Sequence, residues 1–138
     1  MTLRAALEPR SIAIVGASDN PHKVGGRPIL YMKRYGYRGA IYPINPGRAE
    51  VQGLKAYASI ADVPEAPDLA IVAVAGDEAV RAVEECARKG VKVAVVMTSG
   101  FGEIGPEGKA AQERMAAAAR AAGMRLVGPN CQGLANFA

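Results

Sequence analysis

Residues able to do chemistry concentrate in one short run, "SIAIVGASDN", from Ser11 to Asn20. Gly16, Ala17 and Ser18 follow a β-branched apolar stretch, as in a strand that feeds an anion-binding turn. Small residues there let backbone N–H groups approach a phosphate, and the Ser18 hydroxyl adds a donor. Asp19 and Asn20 continue the turn, and Lys23 and Arg27 supply cations further along. The dinucleotide spacing G-x-G-x-x-G is not met, because the next glycines, Gly25 and Gly26, come much later. A second cluster closes the next apolar run, where Asn45-Pro46 is followed by Arg48. An NAD site carries an acidic residue at that place for the ribose hydroxyls. A neutral amide beside a cation suits a phosphate better, which disfavours NAD and leaves NADP open.

Other reactive residue types have plainer readings. His22, the only histidine, lies between Pro21 and Lys23 and reads as an exposed loop residue. Cys86 falls near the apolar face of a helical segment and reads as core. Cys131 has no histidine near it in sequence and reads as a turn residue rather than a nucleophile. Glu107 suits the positive end of a helix, and Glu103 stays open. No cluster has metal-ligand spacing.

The elements that must position these residues follow from the apolar pattern. Runs at Ile12–Val15, Ala40–Ile44, Leu69–Val74, Val91–Met97 and Arg125–Val127 are short and lack strict polar alternation. That is the signature of strands in a parallel sheet covered on both faces. Helices are predicted at Pro28–Tyr35, Asp77–Lys89 and Pro106–Ala122, the last two closed by Gly90 and Gly123. Leu54–Tyr57 reads as a short extra strand, with Ser59 capping a single helical turn. Alternating strands and helices predict a single doubly wound, Rossmann-like α/β domain with a mainly parallel sheet. With the extra strand its order would be 3-2-1-4-5-6, and the switch point would lie between the strands ending at Val15 and Val74. Loops starting at Gly16, Asn45, Ala75 and Thr98 then crowd the edge where ligands bind.

Composition narrows the classes of function. The chain has 138 residues, 50% of them apolar, which supports one globular domain with a real core. Aromatics are 5%, Trp is absent and the basic residues are scattered, which argues against nucleic acid. The net charge of +4 favours anionic partners. No run approaches the ~18 apolar residues of a membrane span, and no signal peptide is visible. Two cysteines without a CxxC arrangement suit a reduced, cytoplasmic protein.

Four motifs, "SIAIVGAS", "IYPINP", "VMTSGFGE" and "LVGPNCQG", occur in this order. Together they resemble the coenzyme A-binding domain of the nucleoside-diphosphate-forming acyl-CoA synthetases, a superfamily that includes the alpha subunit of succinyl-CoA synthetase. The likeness runs from about Leu7 to the C-terminus, and "GPNCxG" is its most specific piece. It implies a CoA or acyl-CoA site along the strand ends. Gly16, Ala17, Ser18, Asp19 and Asn20 would contact the nucleotide and phosphate part. Lys23 lies further along that loop. Asn45 and Pro46 would stand beside Arg48, paired with a CoA phosphate. Val74, Ala75, Thr98, Ser99 and Gly100 would line the cofactor beyond, with Asn130 and Cys131 towards the thiol. Ala75-Gly76 departs from the proline many relatives carry there, which loosens that loop.

The resemblance also implies that acid–thiol ligation, driven by ATP or GTP, needs a phosphohistidine and nucleotide site on domains absent from this chain. The sequence then reads as the N-terminal part of a longer protein, with the remaining domains or subunit as partners. Three alternatives remain, the first two being the CoA-domain portion of a protein lysine acetyltransferase and an NAD(H)-binding redox sensor. A small α/β domain without a retained ligand is the third.

Overall fold

β-branched and small apolar residues dominate the strand runs, and each of the five becomes a strand of one parallel sheet. The computed structural model describes residues 3–98 and 105–128. In chain order the elements are α1 (Leu3–Leu7), β1 (Ser11–Val15), α2 (Arg27–Arg34), β2 (Ala40–Ile44), β3 (Glu50–Val51) and β4 (Leu54–Lys55). A 3-10 turn (Ile60–Asp62) then precedes β5 (Leu69–Val72), α3 (Gly76–Lys89), β6 (Val93–Val96), α4 (Pro106–Ala122) and β7 (Arg125–Val127). The sheet order is β2-β1-β5-β6-β7. Val15 stands level with Ile44 on one side and with Val72 on the other.

One predicted strand takes a different course. Leu54–Lys55 does not extend the sheet; it folds back antiparallel on Glu50–Val51. The cause is the two-residue turn at Gln52 (φ 49°) and Gly53 (φ 80°), whose paired positive φ values belong to a tight hairpin. Tyr57, at the end of that run, makes a single parallel bridge to Ile44 of β2. Its ring meets that of Tyr42 edge-on at 5.8 Å. The order is therefore the five-stranded 2-1-3-4-5 type rather than 3-2-1-4-5-6. The switch point is unchanged, because the chain leaves β1 for β2 on one side and returns to β5 on the other.

Alternation along each strand divides the core into two layers. Ile12, Ile14, Leu69, Val93 and Val95 join Ala5 of α1, Ile29 of α2 and Val51 of the hairpin. Ala13, Ala70, Val72, Ala94 and Val96 share the other layer with α3 and α4. Ala13, Ala70 and Ala94 stand level across three strands. That row of small residues lets α3 seat Val80 and Val83, both buried, close to the sheet. Each such valine contributes about 1.5–3 kcal/mol of burial. Cys86 is buried in the same layer, and burial, with a smaller push from Glu85, raises its thiol pKa to about 12.

End signals in the sequence correspond to real ends. Asp77 and Glu78 occupy the first turn of α3, with Arg88 and Lys89 in its last. Pro106 opens α4 and Gly123 closes it. The Ser59 side chain accepts from the Ala61 N–H at 3.0 Å, capping the 3-10 turn.

Asp68 fastens the amino end of the sheet, opposite the carboxyl ends of the strands. Its carboxylate accepts from the Arg10 backbone N–H (2.9 Å) and guanidinium (3.2 Å) and faces Lys92 Nζ at 3.3 Å. Its N–H donates to Ser11 Oγ at 3.1 Å. Burial pushes the carboxyl pKa up, but Arg10 and Lys92 outweigh it and hold the group below its ordinary value.

Candidate functional site

The carboxyl ends of β1 and β2 open into a cleft of about 610 Å³, lined by Gly16, Ala17, Ser18, Asp19, Asn20, Lys23, Asn45 and Arg48. Residues from two loops, predicted separately from sequence, thus share one wall-to-wall site. It carries two cations, Lys23 and Arg48, against one carboxylate, Asp19.

Close backbone packing builds the first wall. Gly16 has a φ of +83°, and a Cβ there would lie 2.7 Å from the Val74 side chain. Only glycine suits both conditions at the switch point. Gly25 and Gly26 serve the same loop from farther along the chain. A Cβ on Gly25 would fall 1.9 Å from the Gly16 carbonyl oxygen, and one on Gly26 2.0 Å from that of Asn20. These glycines do perform the close approach expected of a glycine-rich loop, but they pack loop against loop.

The backbone donors of the turn differ from the sequence expectation. The N–H groups of Gly16 and Ala17 both donate to the Ile44 carbonyl, at 3.2 and 3.1 Å, and that of Ser18 donates to Gly25 at 3.2 Å. The Asn20 N–H donates to Ser18 Oγ at 3.1 Å. These groups fix the shape of the loop instead of standing ready for a phosphate. Positive charge in the cleft therefore comes from side chains, Lys23 and Arg48.

Asn45 ties the second wall to the first. Its Nδ2 donates to the Ala17 carbonyl (3.0 Å), while its Oδ1 accepts from the Gly47 N–H (2.8 Å). Both ends of the amide are engaged, and no carboxylate stands at the end of β2 to receive a ribose diol. Arg48 lies 3.8 Å from Asp19 Oδ2, with both side chains about half exposed (54% and 50%). A pair so wet is worth at most about 1 kcal/mol, so a dianionic phosphate can displace the carboxylate.

Other predicted residues lie nearby without lining the cleft. Pro46 is exposed on the Asn45 loop. Val74 packs beside Gly16, Thr98 Oγ1 donates to the Val74 carbonyl at 2.9 Å, and Ala75 forms the N-cap of α3. Ser99, Gly100, Asn130 and Cys131, with Glu103, lie outside the described residues. His22 is exposed, as expected. Among the described residues no group of three or more His, Cys, Asp or Glu could hold a metal ion.

Sequence reasoning missed Gln52. Its side-chain amide donates to the carbonyls of Ser18 (3.0 Å) and Gly26 (2.9 Å), and its N–H donates to Asp19 Oδ1 (2.7 Å). Gly53 between two short runs was a partial turn signal, but Gln-Gly is not among the dipeptides that mark a two-residue hairpin.

Fold and cleft together define a doubly wound α/β domain with a cleft at its switch point whose lining includes Lys23 and Arg48. Residues 10–136 match the family described as CoA binding domain, and the chain belongs to that family. It is 41% identical to the alpha subunit of the acetate–CoA ligase [ADP-forming] I of Pyrococcus furiosus, covering 97% of this chain and 30% of that protein. A crystal structure from Pyrococcus horikoshii OT3 superposes with a TM-score of 0.91 at 42% identity, covering 97% of this chain and 31% of the other. A dinucleotide-forming acetyl-coenzyme A synthetase 1 of Ca. Korarchaeum cryptofilum, in complex with phosphate and ADP, gives 0.87 at 40% identity, covering 94% and 28%. The chain spans between 18% and 30% of the length of the curated relatives it matches.

Proposed function

We propose that this chain binds coenzyme A or an acyl-CoA, and that it is the CoA-binding part of a nucleoside-diphosphate-forming acyl-CoA ligase. The observation that carries the reading is the cleft at the switch point, with Lys23 and Arg48 in its lining, in a chain whose residues 10–136 match the CoA-binding family. Arg48 and Lys23 take the phosphates by charge-assisted hydrogen bonds, and the Ser18 hydroxyl adds a third donor. Asp19 accepts from ribose hydroxyls or the adenine amino group once Arg48 turns to phosphate. Val74, Ala75 and Thr98 flank the cofactor beyond the phosphates, and the family resemblance adds Ser99 and Gly100 to that stretch and Asn130 and Cys131 towards the thiol. The engaged Asn45 amide, in place of an acidic residue, disfavours NAD as the ligand.

In this reading thioester formation from a carboxylic acid, with cleavage of ATP or GTP, takes place on further domains or a partner subunit. The curated relatives are much longer than this chain, which covers 30% of one alpha subunit and 20% of another ligase, and that supports this division of labour. The purified chain is expected to bind CoA and to make no thioester. Calorimetric titration with CoA, NAD and NADH tests the first half. Heat with CoA alone supports the reading, whereas tight NADH binding with none for CoA overturns it. Detectable acyl-CoA formed by the chain alone from acid, ATP and CoA would refute the second half.

A further inference from the structure

The tip of the β3–β4 hairpin reaches across to the loop that forms the first wall of the cleft. Four hydrogen bonds meet at Gln52. Its Nε2 donates to the carbonyls of Ser18 and Gly26, its N–H to Asp19 Oδ1, and its own carbonyl accepts from Lys33 Nζ at 2.6 Å. Gln52 is also the one non-glycine residue with positive φ (49°) among the described residues. The side chain is partly buried, and both of its donors are in use.

Each bond acts on a different part of the site. Ser18 and Gly26 lie at the two ends of the loop that leads from β1 into α2, so one amide sets the distance between those ends. Asp19 is held by its Oδ1 while its Oδ2 faces Arg48. The backbone N–H of Gln52 therefore also holds the carboxylate that faces the cleft's guanidinium. Lys33 of α2 anchors the hairpin tip in turn.

We propose that Gln52 is the positioning residue of the cleft: its side-chain amide sets the Ser18–Gly26 loop and with it the place of Ser18 and Asp19 in the cleft wall. The proposal rests on the reading that this cleft holds CoA. Gln52 itself lines no part of the cleft and acts only through the groups it holds.

Two variants test it in the 138-residue chain. Gln52→Gly tolerates the positive φ, so the turn and its backbone bonds to Asp19 and Lys33 survive while the side-chain amide that joins Ser18 to Gly26 is lost. Its CoA dissociation constant is expected to rise about tenfold. Without ligand, the amide resonances of Ser18, Asp19 and Gly26 should shift while those of β5 and β6 do not. Gln52→Glu places a carboxylate against two carbonyl oxygens, with Asp19 and Lys33 as its charged neighbours. Its affinity deficit relative to wild type should be large at pH 8 and shrink towards pH 5, where a protonated carboxyl can donate again. Wild-type affinity in Gln52→Gly overturns the proposal, because any loss in Gln52→Glu is then only charge repulsion. A Gln52→Glu deficit that does not change with pH overturns it as well. If the wild type itself fails to bind CoA, the ligand reading falls. The resonances then still decide the structural claim, and unmoved Ser18, Asp19 and Gly26 signals refute it.

Discussion

Gly25→Ala perturbs the cleft by one methyl group, and its cost can be worked from the packing. The new Cβ would lie 1.9 Å from the Gly16 carbonyl oxygen and 2.9 Å from its carbon. Carbon and oxygen tolerate roughly 3.3 Å at closest approach, so backbone must move by more than about 1 Å. No flexible side chain can absorb that shift, since the atoms in the way belong to the first turn itself. Moving them strains the paired bonds from Gly16 and Ala17 to Ile44 and the bond from Ser18 to Gly25. Overpacking costs about 1–3 kcal/mol and a lost hydrogen bond about 1 more, so a destabilisation of about 2–4 kcal/mol is expected. Urea unfolding reads that as a lower midpoint with little change in slope. Calorimetry should show CoA affinity falling at least about tenfold in the protein that remains folded. Gly47→Ala is the matched control on the same rim. Its Cβ would meet only Asn45 Oδ1, at 3.4 Å, and it should stay within about 0.5 kcal/mol of wild type. A Gly25→Ala protein with wild-type midpoint and wild-type CoA affinity would refute the packing argument and the place of this loop in the site.

Two further outcomes follow from the charges. Arg48→Ala should weaken CoA about tenfold and dephospho-CoA less, as read by parallel titrations; equal losses would reassign Arg48 to the pyrophosphate. Asp68→Asn should cost about 1–3 kcal/mol at pH 7, because it leaves Arg10 and Lys92 without their anion. The Asp68 pKa is depressed in the folded state, so its contribution is present above the unfolded value near 3.8 and is lost as pH falls through the folded value. Urea midpoints of the wild type should accordingly fall between about pH 5 and pH 2, and the variant's should fall less; parallel curves would contradict the assignment.

Much of this architecture is legible in the residues, and the illegible parts share a cause. Five strands follow from short β-branched runs, and α4 begins and ends where Pro106 and Gly123 require. Ser59 capping a single turn was equally readable, because a cap is a local interaction. Leu3–Leu7 gave no such signal: five residues cannot sustain a helix alone, and Ala5 holds it through the core. The hairpin was missed because Gln52 is not a residue type that advertises positive φ. In the site, Gly16 to Asn20, Asn45 and Arg48 stood out because they end strands at one edge. The tasks of Gly25, Gly26 and Gln52 are contacts between loops, and sequence spacing does not encode those. The same holds for the backbone donors of the first turn, whose engagement with Ile44 and Gly25 depends on how β2 and the glycine pair come to rest against it.

The central claim is that the phosphates of CoA lie between the first turn and Arg48. The most direct test follows the backbone amide resonances of the labelled chain during titration with CoA. The account predicts the largest shifts at Gly16 to Asn20, Lys23, Asn45 and Arg48, with Ser11 and Asp68 at the far end of the sheet unmoved. Shifts centred on that far end, or no shifts at saturating CoA, would contradict it.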